Sequence, residues 1–320
     1  MAISSKNVKL AMDFESNFGT VKGTPTLHYF SFVDEQLDIS QGLIKNESVR
    51  QSFSALKPVY GPSDAGGSLS HYPTIETAPW FQKWLLGTLV ETGTTPNYVL
   101  TSKDGTAVAP SAVAEKELVG LSKFKKHLGL TVDTFDLEFD ATGYLKFTVG
   151  TVGKVGSVEA STLDASIDDW TTGDPLNHLQ ISAITLGGVA TTVIKKGKIS
   201  VKRNIYRDDY RAGQGATRQS AVCGMYDITG TLDFCVDDAT TLTNLAAGIA
   251  DSAIKLTWTE AANRYFSVEV PNIIVQKRLP TGASPILMVE GAQFSAYYKA
   301  ASAASIVMET GTSYQATKYA

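Results

Sequence analysis

The chain has 320 residues, 43% of them hydrophobic and 19% charged, a balance that excludes a fully disordered protein and allows one large β domain or two ordinary domains. Its net charge of −4 argues against a dedicated nucleic-acid binder, which would usually be basic. The two cysteines exclude a disulfide-stapled secreted scaffold.

No targeting or membrane segment is predicted. The first residues, Met-Ala-Ile-Ser-Ser-Lys-Asn, lack the apolar stretch of a signal peptide. The longest apolar runs fall far below the ~20 residues that cross a bilayer. We therefore expect a soluble protein made in the cytosol, with no membrane partner.

The first predicted helix covers residues 77–89. Thr77 is its expected N-cap, Pro79 suits the first turn, and Gly87 lies near the end. Four large apolar side chains form one stripe: Trp80, Phe81, Trp84 and Leu85.

Alternation of apolar and polar residues predicts half-buried antiparallel strands over residues 131–139, 145–149, 228–236 and 266–270. A second helix is predicted over residues 238–249, with Asp238 as N-cap and an apolar stripe at helical spacing. Strands outnumber helices, so the predicted class is mainly β.

An internal duplication is predicted from the order and spacing of these elements. A Gly-Ser-Leu segment at 67–69 precedes the first helix, and Gly-Thr-Leu at 230–232 precedes the second. A hairpin tip lies upstream of each, at 59–67 and 208–215. A strand pair lies downstream of each, near 128–149 and near 254–275.

The duplication divides the chain into two domains. We expect the first at 1–155, with an insertion at about 91–126, and the second at 176–320. Residues 156–175, which contain no Lys or Arg, suit an acidic linker or exposed loop.

Charge is unevenly distributed between neighbouring segments. Residues 195–218 hold eight basic side chains against two acidic ones, whereas 155–194 holds five acidic and no Lys or Arg. Three interpretations remain open: two solvated loops, complementary surfaces on identical subunits that meet head to tail, or a nucleic-acid patch in which Tyr206 and Tyr210 stack on bases.

Catalytic and metal-binding constellations are not predicted. The four histidines are scattered, and Cys223 and Cys235 lack metal-ligand spacing, so we expect no metal and no cofactor. Four carboxylates, those of Asp133, Asp136, Glu138 and Asp140, suggest a glycoside hydrolase. Asp136, Glu138 and Asp140, however, alternate along one strand, as residues on a solvated face do. We expect a protein that is not an enzyme.

Three segments resemble the major tail tube proteins of long-tailed, siphovirus-like bacteriophages: KISVKRN at 198–204, DITGTLDF at 227–234 and YFSVEVP at 265–271. VDTF at 132–135 and GYLKF at 143–147 are also similar. The resemblance implies two tandem β-sandwich domains, each with one short helix. It also implies long hairpins that close a β-barrel between subunits around a lumen.

With the duplication, the resemblance implies a ring of three chains that imitates six subunits, and stacking of rings into a tube that conducts phage DNA. The expected partners are further copies of the chain, the tape-measure, tail terminator and distal tail proteins, and DNA only in transit. The expected location is the virion tail, assembled in the host cytoplasm.

Candidate contact residues follow from the charge pattern and the hairpins. Contacts between rings or subunits are assigned to Arg203, Arg207, Asp208, Asp209, Arg211, Arg218, Asp164, Asp168 and Asp169. Assembly hairpins are assigned to Tyr60, Asp64, Gly66, Gly67, Gly213 and Gly215.

Two other functions remain as alternatives. One is a carbohydrate-binding or adhesive β-sandwich of a virion fibre or baseplate, which would need Trp170 and Trp258 to line a groove. The other is a hydrolase that uses Asp136 or Glu138.

Overall fold

The computed structural model describes residues 8–48, 54, 56–105, 108–171, 173–237, 239–280, 287–300, 302 and 304–319. The strands of the first half are β1 (Val8–Phe14), β2 (His28–Phe30), β3 (Asp34–Glu35), β4 (Asp38–Ile44), β5 (Val59–His71), β6 (Val90–Thr94), β7 (Asn97–Lys103), β8 (Ala112–Leu118), β9 (Lys123–Asp140), β10 (Lys146–Gly153), β11 (Val155–Glu159) and β12 (Asp168–Asp169). Those of the second half are β13 (Ile181–Leu186), β14 (Val189–Ala190), β15 (Ile194–Lys202), β16 (Asp227–Cys235), β17 (Ile249–Ala261), β18 (Arg264–Val275), β19 (Met288–Ala296) and β20 (Val307–Thr312). The helices are α1 (Ala78–Leu86) and α2 (Ala239–Ala247).

The mainly β class is confirmed, and so are both helices. The apolar stripe of α1 explains its packing, since eight of its nine residues are buried. The N-cap prediction was wrong: Thr77 makes no side-chain cap bond, because its hydroxyl accepts instead from the Thr74 amide at 2.9 Å. Asp238, the predicted cap of α2, lies outside the described residues.

Three sheets share two long bent strands. The largest sheet runs β4, β5, β10, β9, β15, β16, β19, β18. A second runs β14, β13, β17, β18, β20, β7, β6, and a third runs β12, β2, β1, β8, β9, β11. Because β9 and β18 each pass from one sheet into another, they hold the layers together.

Aromatic side chains fill the space between the sheets. The Phe147 and Phe266 rings meet at 5.7 Å between the largest and second sheets. On the other side, Trp80 of α1 stacks on Phe14 of the third sheet at 4.7 Å. Such aromatic pairs add about 0.5–1.5 kcal/mol each beyond the burial of their area. One core cluster therefore spans both halves of the chain.

The pairing pattern of the first half recurs in the second. Six antiparallel strand pairs of the first half each have an antiparallel counterpart in the second. The correspondence is β1·β8 with β13·β17, β4·β5 with β15·β16, β5·β10 with β16·β19, β8·β9 with β17·β18, β9·β10 with β18·β19, and β9·β11 with β18·β20. In this correspondence β17–β18 matches β8–β9. The sequence had instead matched the pair near 254–275 with the pair near 128–149, which is β9–β10 and lies one strand later. The β6–β7 hairpin has no counterpart in this pattern.

The two halves meet along one strand pair inside the largest sheet. The outer edge of β9 pairs with β15, from Thr134 opposite Lys202 to Asp140 opposite Lys196. The linker predicted at 156–175 contains β12 and most of β11. The domain boundaries themselves stay a prediction.

Candidate assembly surface

The β4–β5 hairpin extends past the sheet that holds its base. β10 pairs with β5 over residues 65–71, whereas β4 follows β5 to residue 59. Four apolar side chains toward the tip are more than half exposed: Leu43, Ile44, Val59 and Tyr60. Exposed apolar strand ends favour association with other chains, so this hairpin is a candidate contact surface.

Two of the predicted assembly glycines, both in β5, allow other segments to pack closely against that strand. Gly66 and Gly67 have φ values of 155° and 145°. A Cβ on Gly67 would lie 2.1 Å from the carbonyl oxygen of Gln36, and one on Gly66 would lie 2.6 Å from that of Thr151. Glycine is required at both positions because strands approach there too closely for a side chain.

The loop between β15 and β16 folds back onto this hairpin. The Ser63 amide donates to the Ala216 carbonyl at 2.7 Å, and the Tyr210 hydroxyl donates to the Ser63 carbonyl at 3.0 Å. Inside the loop, Gly213 and Gly215 occupy positive φ values of 81° and 77°. The two hairpin regions predicted from sequence are therefore neighbours, although the second is a folded loop with a single isolated bridge among the described strand contacts.

Arg218 joins the loop to the hairpin from a buried position. The residue is 2% exposed. Its Nε donates to the Arg207 carbonyl at 2.7 Å, and its Nη1 donates to Asp64 Oδ1 at 3.1 Å and to the Gly153 carbonyl. Its Nη2 donates to the Tyr210 hydroxyl at 3.2 Å. Because its donors are used within the chain, Arg218 acts here as an internal clamp.

Arg203 is likewise buried, at 2% exposure, and its Nη1 donates to the Val132 carbonyl at 3.1 Å. The neighbouring carboxylate of Asp133 accepts from the Ile205 amide at 3.0 Å and from Arg207 Nη2. Arg203 and Arg218 were assigned from the sequence to contacts between rings or subunits, and within the single chain both side chains are buried.

The exposed charges of the loop are Arg207, Asp208 and Arg211. Arg211 forms two parallel hydrogen bonds to Asp209, Nε to Oδ1 at 2.9 Å and Nη2 to Oδ2 at 3.0 Å. These bonds lower the pKa of Asp209 below its ordinary value. The Arg211 side chain is still 62% exposed, so the pair presents its guanidinium edge to solvent.

The predicted acidic contact residues, Asp164, Asp168 and Asp169, bond to groups of the same chain. Asp164 accepts from the Leu27 amide at 3.0 Å, and Asp168 lies 3.1 Å from the Lys318 amine. Hydrogen bonds from Thr171 lower the pKa of Asp169. Asp168 and Asp169 remain exposed, whereas Asp164 is half-buried.

The outer face of the largest sheet is a continuous polar surface, and it was not predicted from the sequence as one site. Adjacent strands align two rows of side chains, Lys146–Glu138–Lys198–Thr231–Gln293 and Thr148–Asp136–Ser200–Thr229–Ser295. We call these ten residues the polar face. Strand alternation could indicate each polar position, but only the long-range register places them side by side.

The lysines of the polar face are paired with carboxylates. The Lys198 amine lies 2.8 Å from Asp136 Oδ2 and 3.1 Å from Glu138 Oε1. Partial burial alone lowers the pKa of Lys198, but these hydrogen bonds outweigh it and raise the pKa above its ordinary value. Lys146 lies 3.9 Å from Glu138. The face is therefore polar, and its cations are neutralised locally.

Within the described ranges, no cluster of three or more His, Cys, Asp or Glu has the arrangement of a metal site. Cys223 and Cys235 are free cysteines that form no disulfide with each other, and both are half-buried. Neither described helix is long and apolar enough to cross a membrane.

The residues on which the alternative functions depend have other roles in the structure. Trp258 is 1% exposed and Trp170 is 9% exposed and stacked on His28 at 3.9 Å, so neither offers a ring to a sugar. Asp136 and Glu138 are both engaged by Lys198.

Comparison with known proteins gives one family. The family model described as "Phage tail tube protein" matches residues 5–314, nearly the whole chain. A search of curated proteins finds no match.

Proposed function

Since the chain belongs to the phage tail tube protein family and is thereby a structural component of the virion tail, we propose that it assembles into stacked rings that conduct phage DNA into the host. The observation that carries this proposal is the repeated strand pairing, with a single polar face, in a chain matched by this family from residue 5 to residue 314. We assign it to a long, siphovirus-type tail.

Each ring contains three chains in this proposal. The repeated pairing gives one chain two equivalent units, so three chains supply the six units of a pseudo-hexamer. The largest sheet contributes eight strands per chain. A closed barrel of about 24 such strands exceeds the 16–18 strands that already leave an open channel in porins.

The polar face lines the lumen in this arrangement. Duplex DNA binds wherever free Lys or Arg side chains neutralise its phosphates, and each such contact adds affinity. Lys198, held between Asp136 and Glu138, offers a sliding duplex little free positive charge. The Ser and Thr residues beside it add hydration without charge. A lumen of this composition lets DNA pass without being held.

Stacking of rings uses the exposed parts of the β4–β5 hairpin and of the loop. Tyr60 is 74% exposed at the hairpin, and Arg207, Asp208 and Arg211 are exposed in the loop. Exposed apolar strand ends beside paired charges suit a polar-rimmed contact between identical subunits. The exposed acids Asp168 and Asp169 are the proposed counterpart on the adjoining ring.

Other partners follow from the same assignment. We propose contacts with the tape-measure protein in the lumen and with the tail terminator and distal tail proteins at the ends. Assembly takes place in the host cytoplasm before the tail joins the virion.

Sedimentation and negative-stain electron microscopy of the purified protein across a concentration series test this function. The proposal predicts rings or hollow tubes that grow with concentration and need no ligand. A protein that stays a monomer, also after mixing with purified tail initiation proteins, contradicts it.

A further inference from the structure

The loop between β15 and β16 covers one end of the first unit, which is formed by strands β1–β11. β10 pairs with β5 only as far as Gly153. Just past this point the Ser63 amide donates to the Ala216 carbonyl, and Arg218 donates to Asp64 and to the Gly153 carbonyl. The loop therefore lies where β5 extends beyond its neighbour β10.

The repeated strand pairing identifies the same place in the second unit, which is formed by strands β13–β20. The Gly-Ser-Leu and Gly-Thr-Leu segments align β5 with β16, so Asp64 corresponds to Asp227 and Gly153 corresponds to Ala296. A groove of about 1420 Å³ lies at this place, and Asp227 and Ala296 both line it. The second unit is therefore open where the first unit is covered by the loop.

The groove presents apolar side chains and a carboxylate to solvent. Four of its apolar lining residues are more than half exposed: Val108, Val222, Met225 and Tyr298. Asp227 is exposed and has no ion-pair partner among the described residues, although Lys202 lies opposite it in the ladder. Exposed apolar surface with a polar rim marks a contact site for another chain.

The β4–β5 hairpin carries side chains that match this groove. It joins β4 to β5 as the loop joins β15 to β16, so it is the counterpart of the loop in the first unit. Ile44 and Val59 lie opposite one another across the hairpin, and both are more than half exposed. Lys57, two residues before Val59, is exposed as well. An apolar pair beside a cation complements apolar residues beside a carboxylate.

The hairpin that fills the groove comes from another copy of the chain. In the largest sheet, β10, β9 and β15 separate β5 from β16. Neighbouring strands lie about 4.8 Å apart, so β5 and β16 of one chain are roughly 19 Å apart. In the proposed ring, the first unit of each chain follows the second unit of its neighbour, which brings the hairpin of one chain beside the groove of the other.

Resting on the proposed ring, we propose that the β4–β5 hairpin of one chain docks into the groove of the neighbouring chain. Ile44 and Val59 pack against Met225 and Tyr298, and Lys57 pairs with Asp227 as Arg218 pairs with Asp64 inside the chain. The contact is made by side chains and needs no free strand edge.

This docking leaves the other face of the hairpin available for the contact between rings. Tyr60 lies opposite Leu43, one pair along the ladder from Ile44 and Val59. Because side chains alternate along a strand, Tyr60 and Leu43 point to the face opposite that of Ile44 and Val59. One hairpin can thus serve the neighbour in its own ring and the adjoining ring together.

Charge reversal with rescue tests the docking. We would compare the full-length protein with Lys57→Glu, with Asp227→Lys and with the double variant, by sedimentation across a concentration series. Each single reversal places like charges together and is expected to raise the concentration needed for ring formation at least about fivefold. The double variant restores opposite charges and is expected to return within about twofold of the original chain.

A matched pair of substitutions tests the apolar part of the groove. Met225 and Leu179 are 84% and 83% exposed, so Met225→Glu and Leu179→Glu should both fold normally, which circular dichroism verifies. Leu179 lies beside the β9–β10 turn, away from the groove, since the His178 amide donates to the Gly143 carbonyl. We expect Met225→Glu to raise the concentration for ring formation at least about tenfold, because docking would bury its carboxylate among apolar groups. Leu179→Glu should form rings like the original chain.

The outcomes separate the docking from the proposed function. Single reversals that form rings like the original chain, a double variant that does not recover, or equal effects of Met225→Glu and Leu179→Glu overturn the docking while the ring stands. An original chain that forms no rings, also with tail initiation proteins, overturns both.

Discussion

The guanidinium of Arg218 donates to the carboxylate of Asp64 at 3.1 Å across 154 residues of sequence. The same guanidinium reaches two backbone carbonyls, those of Arg207 and Gly153. A basic loop of one half is thereby fixed to the hairpin of the other half, so the shape of the hairpin base depends on both.

Arg218→Met should destabilise the chain by about 2–3 kcal/mol, because it leaves buried carbonyl oxygens without a donor. Asp64→Asn is the matched variant: the Asp64 side chain is 54% exposed, so its loss should cost less than about 1 kcal/mol. Urea denaturation of the two variants measures the difference. Equal losses would show that the carbonyl contacts contribute nothing.

Gly67→Ala should destabilise the base of the hairpin strongly. Its Cβ would meet the Gln36 carbonyl at 2.1 Å, at a φ of 145°. We expect a loss of more than about 2 kcal/mol. Gly213→Ala is the control, because nothing lies within 4 Å of that Cβ and only the positive φ of 81° opposes it. Thermal melting should rank the two, and a milder effect at Gly67 would contradict the close approach.

Acid should weaken the fold through His71. Burial lowers the pKa of His71 from 6.5 to about 4. The unfolded chain therefore binds a proton between these values while the folded chain does not, so stability is full above pH 6.5 and falls as the pH drops toward 4. The loss from this residue is as much as ~3 kcal/mol.

Unfolding free energies of the original chain and of His71→Asn, measured from pH 7 to pH 4.5, isolate this contribution. The asparagine does not titrate, so the variant should show a shallower slope. His127, whose pKa burial also lowers to about 4, accounts for part of the slope that remains. Identical slopes would mean that His71 is not held neutral.

Removing the carboxylates of the polar face should make the lumen adhesive. Asp136→Asn with Glu138→Gln frees the Lys198 amine, and we expect the resulting tubes to bind short DNA duplexes with an affinity that falls as salt rises. Adding Lys198→Thr should abolish this binding. Fluorescence anisotropy of a labelled duplex mixed with assembled tubes measures this binding. If tubes of the original chain, the double variant and the triple variant all fail to bind DNA, the assignment of the polar face to the lumen is contradicted.

Arg211→Glu should weaken the stacking of rings but not their formation. The Arg211 side chain is 62% exposed and is paired only with Asp209 among its described contacts, so its loss should leave the fold intact. Arg207→Glu is a poorer test, because Arg207 also neutralises the buried Asp133. Electron microscopy should show single rings or short stacks for Arg211→Glu, and tubes of normal length would exclude this contact.

Local patterns in the sequence predicted both helices and several strands, whereas β1, β7 and β8 were not predicted. The Trp80, Phe81 and Trp84 stripe predicted α1, and alternation predicted β9 and β16, because the periodicity of burial is a property of each segment alone. Thr77 failed as a cap because the Thr74 amide and the His71 ring, three and six residues earlier in the chain, bond to its hydroxyl.

The candidate site was harder to predict because it depends on contacts between distant segments. A run of eight basic residues normally indicates a solvated surface. Arg203 and Arg218 are buried instead, because the carbonyls of Val132 and Gly153 receive their donors. The polar face required the register of five strands, which no single segment encodes.

The number of chains in each ring is the decisive quantity for the proposed assembly. Cryo-electron microscopy of assembled tubes, with end-on averages and the native mass of a single ring, would measure it. We expect three chains per ring around an open lumen, with a continuous wall of strands lined by the polar face. A ring of six chains, or a lumen lined by other residues, would contradict it.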